Sequence, residues 1–104
     1  MRLKDDTVRI QGIRTELLFA IMVADEIYKN HGKELVITSG SEFSTRHSTT
    51  SLHYSGSAVD LRTNYFRSGE VDIVRAEIKE RLGRDFDVVI ESTHIHLEYQ
   101  PKRD

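Results

Sequence analysis

The chain has 104 residues, of which 38% are hydrophobic and 31% are charged. A chain of this length can bury one core, and a second domain would need roughly another hundred residues. Fifteen Lys and Arg against seventeen Asp and Glu leave a net charge of −2, which excludes the basic surface of a typical nucleic-acid-binding protein. The lack of cysteine excludes disulfides, cysteine-ligated zinc and thiol catalysis. We therefore expect a single domain over residues 1–104, with no nucleic-acid partner.

Two further absences bear on localisation. No apolar run reaches the roughly 18 residues of a membrane helix. The N-terminal residues carry no apolar segment of the kind found in secretory signals. We expect a monomer that is cytoplasmic at synthesis and does not insert into a membrane.

The spacing of hydrophobic and turn-forming residues predicts two helices and several short strands. Apolar residues recur every three or four positions in two segments, each of which a glycine follows, as is typical of helices with one buried face. The predicted elements are a brief strand around Val8 and Ile10, a helix capped at or near Thr15 and stopped by Gly32, strands Glu34–Thr38 and Ser57–Thr63, a helix from about Gly69 to Leu82 capped by Ser68 and stopped by Gly83, and strands Phe86–Glu91 and His94–Tyr99. We expect an α+β fold in which a small antiparallel sheet of about four to five strands packs against two helices.

A polar segment, Ser39–Leu52, lies between two of the predicted strands. Eight of its fourteen residues are Ser or Thr, and His47 and His53 lie within it or beside it. Loops of this length are uncommon in small domains and are often binding loops. We interpret the segment as a binding loop, and a solvated connection is the alternative.

The last two predicted strands sort their side chains onto two faces. If Ser92 and Thr93 form a two-residue hairpin loop, Glu91 lies opposite His94. Alternation then places Val89, Glu91, His94 and His96 on one face and Val88, Ile90, Ile95 and Leu97 on the other. The second face is typical of a core, and the first gathers a carboxylate and two imidazoles. A solvated outer face would show the same alternation, so the hairpin alone leaves both interpretations open.

A second group of polar residues precedes the hairpin. His53 and Asp60 are seven positions apart, and a bend at Gly56 allows His53 to fold back over the strand that carries Asp60. Both neighbours of Asp60 are apolar, so Asp60 is expected to point away from the core. Two imidazoles and one carboxylate are the protein ligands of many catalytic zinc sites. The alternatives are a loop histidine at position 53 and an ion pair of Asp60 with Arg62 or Arg46.

Two separated blocks of residues carry a resemblance to a known family. The first block is Ser51-x-His53-x-x-Gly56-x-Ala58-x-Asp60, and the second comprises Glu91 and His94-Ile95-His96. In this order they resemble the hedgehog/DD-peptidase superfamily, which includes zinc peptidases of phage and bacterial cell-wall lysis and the hedgehog signalling domain. The resemblance extends from about Val36 to Tyr99 and more loosely over the first helix.

The resemblance implies a zinc centre. His53, Asp60 and His96 match the zinc ligands, and Glu91 matches the general base. The identity of one ligand stays open, because in the carboxypeptidase branch the general base lies three residues before the ligand histidine. That spacing would make His94 the ligand, whereas His-Ile-His at the closing strand favours His96.

The resemblance also implies roles around the metal. His47 and His94 match two cleft histidines that are not ligands, and we expect them to stabilise a developing oxyanion. Ser51 matches a position that holds substrate in the dipeptidase branch. Arg46, in the same loop, is expected to bind a substrate carboxylate.

The activity that the resemblance implies is zinc-dependent hydrolysis of peptidoglycan stem peptides. The chain would be a DD-carboxypeptidase or an L-Ala-D-Glu endopeptidase, such as a phage lysin, and would act on the cell wall if released. The main alternative is a non-catalytic hedgehog-like zinc module that binds another protein. An iron oxygenase triad and a metal-free binding domain are lesser alternatives. Hedgehog domains also bind calcium, but Ser39, Glu42 and Ser44 stand at the matching loop positions, so most of that acid is missing.

Overall fold

A computed structural model describes residues 1–42 and 56–102 of the chain. Within these ranges it contains two α-helices and one five-stranded, mostly antiparallel sheet, which confirms the expected α+β class. The elements in chain order are β1 (Arg2–Leu3), α1 (Thr15–Asn30), β2 (Val36–Ser39), β3 (Ala58–Arg62), α2 (Glu70–Leu82), β4 (Phe86–Ile90) and β5 (His94–Tyr99). Apart from β1, the bounds of the strands lie within two residues of the predicted ones, and those of β5 are the same.

The sheet has the strand order β1-β2-β3-β5-β4. The β1–β2 pair is parallel and the other pairs are antiparallel. Between β3 and β5, Asp60 is the register partner of His96, and Arg62 is the partner of His94. On its other side Asp60 is the partner of Ser39, at the end of β2. The central strand therefore brings residues from three segments of the chain together around Asp60.

Both helices end at glycines, as predicted. Gly32 follows α1 with φ +73°, and Gly83 follows α2 with φ +82°. Residues that carry a Cβ rarely adopt such backbone conformations. α1 begins at Thr15, after Arg14 in an extended conformation. Glu16 lies in its first turn, at the positive end of the helix dipole, where a negative charge is favourable.

Three local predictions are wrong. Residues 8–10 form no strand; the N-terminal strand is Arg2–Leu3, and Val8 is instead buried as part of the hydrophobic core. Ser68 does not cap α2, because Gly69 occupies the N-cap position in a left-handed conformation with φ +84°. Ile90, expected in the core, is 38% exposed because β4 ends at this residue.

The core lies between the helices and one face of the sheet. Its fully or nearly fully buried side chains come from both helices and the central strands, and include Leu17, Ile21, Ile27, Tyr28, Val59, Leu61, Val74, Ile78, Ile95 and Leu97. Since side chains alternate along a strand, Asp60, His94 and His96 project from the opposite face. In the part of the chain that the structure describes, neither helix is long and apolar enough to span a membrane.

Candidate metal centre

Asp60 occupies the middle of the central strand and is only 6% exposed. Its Oδ1 atom lies 3.0 Å from Nδ1 of His96 and 3.5 Å from Nε2 of His94. Two imidazoles therefore converge on one buried carboxylate oxygen. Among the described residues, the Asp60 carboxylate has these two imidazole contacts and no ion pair with Arg62, which was one of the sequence-based alternatives.

His96 lies between two carboxylates. Its Nδ1 faces Asp60, and its Nε2 lies 2.8 Å from Oε1 of Glu98. The hydrogen bond to Asp60 raises the pKa of His96, burial of the ring opposes this shift, and the hydrogen bond to Glu98 adds to it. His96 is thus held with both of its ring nitrogens directed at acidic groups.

His94 and Glu91 flank the hairpin turn in the predicted register. The backbone N–H of Glu91 donates to the carbonyl of His94 at 2.8 Å, so the two residues face each other as expected. Nδ1 of His94 lies 2.9 Å from the hydroxyl of Thr93, and its Nε2 lies 3.8 Å from Oε1 of Glu91. The Glu91 side chain is 48% exposed, which leaves its carboxylate accessible to a molecule in the cleft.

These side chains line a cleft of about 1120 Å³. This volume is slightly above the roughly 300–1,000 Å³ that is typical of ligand pockets. The cleft is lined by acidic Asp60, Glu91 and Glu98, by basic Lys4, Arg62 and Arg67, by the histidines, and by several hydroxyl side chains together with Phe66 and Val71. Such a mixture of charged, polar and apolar groups is suited to an extended polar ligand such as a peptide.

Four predicted site residues lie outside the described residues, namely Arg46, His47, Ser51 and His53. Their assigned roles stay predictions. Within residues 1–42 and 56–102, no group of three His, Cys, Asp or Glu side chains is arranged to hold a metal ion. The predicted ligand set is divided accordingly, with Asp60 and His96 inside the described ranges and His53 outside them.

The donors that the structure describes are of the type that zinc prefers. A carboxylate oxygen and imidazole nitrogens are standard zinc ligands, and Asp60 and His96 present such atoms to each other in a mostly buried position. The second nitrogen of His96 contacts a carboxylate, which is the usual arrangement around a metal-binding histidine. Asp60 and His96 therefore fit two positions of a zinc site, and the family resemblance assigns the third to His53.

Sequence reasoning did not single out Glu98 or the role of Glu42. Glu98 lies two residues after His96, and strand alternation could have placed it on the same face.

Glu42 accepts hydrogen bonds from the Ser39 hydroxyl at 2.6 Å and from the backbone N–H groups of Arg9 and Gly40 at 3.0 and 2.7 Å. Although burial raises the pKa of Glu42, these hydrogen bonds outweigh it and hold the pKa below its usual value. Glu42 therefore fastens the end of β2 to the N-terminal segment.

No protein-family model matches the chain, and no curated protein matches it. Its place in the hedgehog/DD-peptidase superfamily stays a prediction based on the two motif blocks. Its function must therefore be inferred from the residues of the cleft and their arrangement.

Proposed function

We propose that the chain is a zinc-dependent metallopeptidase that hydrolyses peptide bonds in peptidoglycan stem peptides. The observation that carries the proposal is the convergence of His94 and His96 on Asp60, in a cleft that Glu91 also lines. All four residues belong to the two motif blocks. The substrate class comes from the family resemblance, because a fold or a cleft does not by itself specify a substrate.

The charges around the two histidines support a bound cation. Asp60 and Glu98 flank His96, and Glu91 lies beside His94. Carboxylate oxygens and imidazole nitrogens gathered in one place are donors that a divalent cation such as zinc accepts.

Each of the site residues would have a separate role in the reaction. Asp60, His96 and His53 would hold the metal. When bound, zinc would polarise the scissile carbonyl and lower the pKa of water toward about 7. Glu91 would take a proton from the attacking water and deliver it to the leaving amine, and its half-exposed carboxylate is open to the cleft. Nε2 of His94 would donate a hydrogen bond to the developing oxyanion.

Metal content tests the first half of the proposal. Elemental analysis of the purified protein should find about one zinc per chain, as in a mononuclear catalytic site. His53→Ala and Asp60→Asn should each lose this zinc, whereas Asp72→Asn, a change of the same type at an exposed position of α2, should retain it. Absence of zinc from the wild type after reconstitution would refute the proposal.

Hydrolysis of purified muropeptides tests the second half. Release of D-Ala would indicate a DD-carboxypeptidase, and cleavage between L-Ala and D-Glu would indicate an endopeptidase. Glu91→Gln should keep its zinc and its fold but lose activity by about 100- to 10,000-fold, the usual contribution of a general base. A wild-type protein that binds zinc but cleaves neither substrate would instead favour the non-catalytic zinc module.

A further inference from the structure

Glu98 is an acidic residue of the cleft for which the proposed reaction gives no role. It lies two residues beyond His96 on β5, so both side chains project from the same face of the sheet. Its Oε1 atom lies 2.8 Å from Nε2 of His96, and each of the two side chains is 17% exposed. The contact is short and largely shielded from solvent, as expected of a charge-assisted hydrogen bond.

The surroundings of Glu98 fix its carboxylate in place. Its register partner on β3 is Ala58, a small, fully buried residue, and its partner on β4 is Asp87. The Gln100 amide, with its nitrogen toward the carboxylates, donates to Oε2 of Glu98 at 2.7 Å and to Oδ2 of Asp87 at 3.1 Å. One carboxylate oxygen of Glu98 is therefore held by Gln100 while the other contacts His96.

The two ring nitrogens of His96 face different carboxylates. Nδ1 faces Asp60 Oδ1, the atom on which Nε2 of His94 also converges. Nε2, on the other edge of the ring, faces Glu98. Glu98 therefore contacts the edge of the His96 ring that faces away from Asp60.

We propose that Glu98 is a positioning residue that keeps the proton of neutral His96 on Nε2 and thereby presents the lone pair of Nδ1 to the metal. A neutral imidazole carries one proton, and an acceptor at one nitrogen determines where that proton resides. Because a metal ligand must be unprotonated at the coordinating atom, this choice decides which ring nitrogen can bind. The inference depends on the proposed zinc centre, and it adds the coordinating atom and the residue that selects it.

Zinc affinity tests the role of Glu98 independently of catalysis. The affinity of the full chain is measured by competition with a chromophoric zinc chelator. Glu98→Ala should bind zinc about 10- to 100-fold more weakly, which is the usual effect of removing such a partner. Glu98→Gln keeps an acceptor oxygen and should recover most of this loss. Glu80→Ala, at an exposed position of α2, is the matched control and should bind as the wild type does.

The atom assignment is tested by long-range ¹H–¹⁵N NMR of the His96 ring in the zinc-loaded protein. The expected spectrum shows a metal-bound Nδ1 and a protonated Nε2 in both the wild type and Glu98→Gln. A Glu98→Ala variant with wild-type affinity, or a spectrum with zinc on Nε2, would overturn the inference and leave the zinc peptidase proposal intact. A wild type that binds no zinc would overturn both.

Discussion

Tyr28 shows how a single core residue supports the strand that carries Asp60. Its side chain is fully buried, and its hydroxyl donates a hydrogen bond to the carbonyl of Arg62 at 2.9 Å. Tyr28→Phe removes the donor and leaves a partly buried carbonyl with one bond fewer. We expect the free energy of unfolding to fall by about 1 kcal/mol in urea denaturation, the usual net value of such a bond.

A second tyrosine provides the control for this measurement. The hydroxyl of Tyr65 also donates to a backbone carbonyl, that of Glu34, but the contact is exposed. Because water can replace an exposed donor, Tyr65→Phe should change stability by less than about 0.5 kcal/mol. If the two variants lost equal free energy of unfolding, burial would not be the reason that the Tyr28 hydrogen bond contributes to stability.

At the residue scale, the side chains of the cleft were predictable where strand alternation decided their direction. Asp60 projects away from the core as alternation predicts, and Glu91, His94 and His96 lie where the predicted hairpin register places them. Glu98 follows the same alternation, but nothing in its sequence position indicates that its carboxylate contacts a ring nitrogen. Such a contact depends on side-chain rotamers and cross-strand neighbours, which the order of residues along one strand does not specify.

At the element scale, Gly56 joins the start of β3 to the entry of α1. It has φ +75°, and a Cβ at this position would lie 2.2 Å from the carbonyl oxygen of Gly12. Its own carbonyl accepts a hydrogen bond from the N–H of Arg14 at 3.0 Å. Gly56→Ala adds a backbone clash to an unfavourable backbone conformation, so we expect a loss of about 3 kcal/mol or more in the free energy of unfolding.

Gly32 separates the two causes of that loss. It has a nearly identical φ of +73°, but a Cβ there would meet nothing within 4 Å. Gly32→Ala should therefore cost only about 1–2 kcal/mol, the penalty of the left-handed conformation itself. If both variants lose the same stability in urea denaturation, close approach to Gly12 contributes nothing at Gly56.

His31 connects the C-terminal end of α1 to α2. Its Nε2 lies 2.6 Å from Oε1 of Glu77, and its Nδ1 lies 3.0 Å from Oε2 of Glu70. The hydrogen bond to Glu77, and then that to Glu70, raise the pKa of His31 in the folded state above its ordinary value of 6.5. The resulting stabilisation is complete below about pH 6.5 and is lost as the pH rises through the higher folded-state pKa.

A variant at this position gives the corresponding pH prediction. His31→Gln cannot become charged, so the wild type should be more stable than the variant by a margin that is largest near pH 6 and smaller at pH 8.5. The margin is measured as the difference in the free energy of unfolding in urea at the two pH values. A margin that stays constant or grows with pH would contradict the ion pair between the helices.

The elements differ in how far the sequence could predict them. α1 and α2 have periodic apolar patterns and glycine stops, the β4–β5 hairpin has a clear alternation, and the bounds of all three agree closely with the predicted ones. β1 has only two residues and pairs in parallel with β2, so no alternation or turn signal indicates it. The strand order around β3 also depends on contacts between segments distant in the chain, which local patterns do not contain.

At the scale of the whole molecule, the candidate metal centre connects elements that are distant in sequence. Asp60 lies on β3 and His96 on β5, and their contact spans 36 positions of the chain. A metal ion held by both residues would bind the folded chain and not the unfolded one, because unfolding separates its ligands. Metal binding should therefore appear as a change in global stability even when no substrate is present.

Thermal unfolding measures this linkage. Zinc at 100 times its dissociation constant should stabilise the wild type by about 2.7 kcal/mol, which corresponds to a rise in Tm of roughly 10 °C or more for a domain of this size. Asp60→Asn should show little of this rise, and a chelator should reverse it in the wild type. Magnesium at the same concentration should have little effect, since it prefers oxygen ligands in an octahedral arrangement to a site with imidazole donors. An equal rise in Tm in the wild type and in Asp60→Asn would mean that zinc binds elsewhere on the molecule. Only a rise in Tm that disappears when Asp60 is replaced connects the bound zinc to the β3–β5 pair.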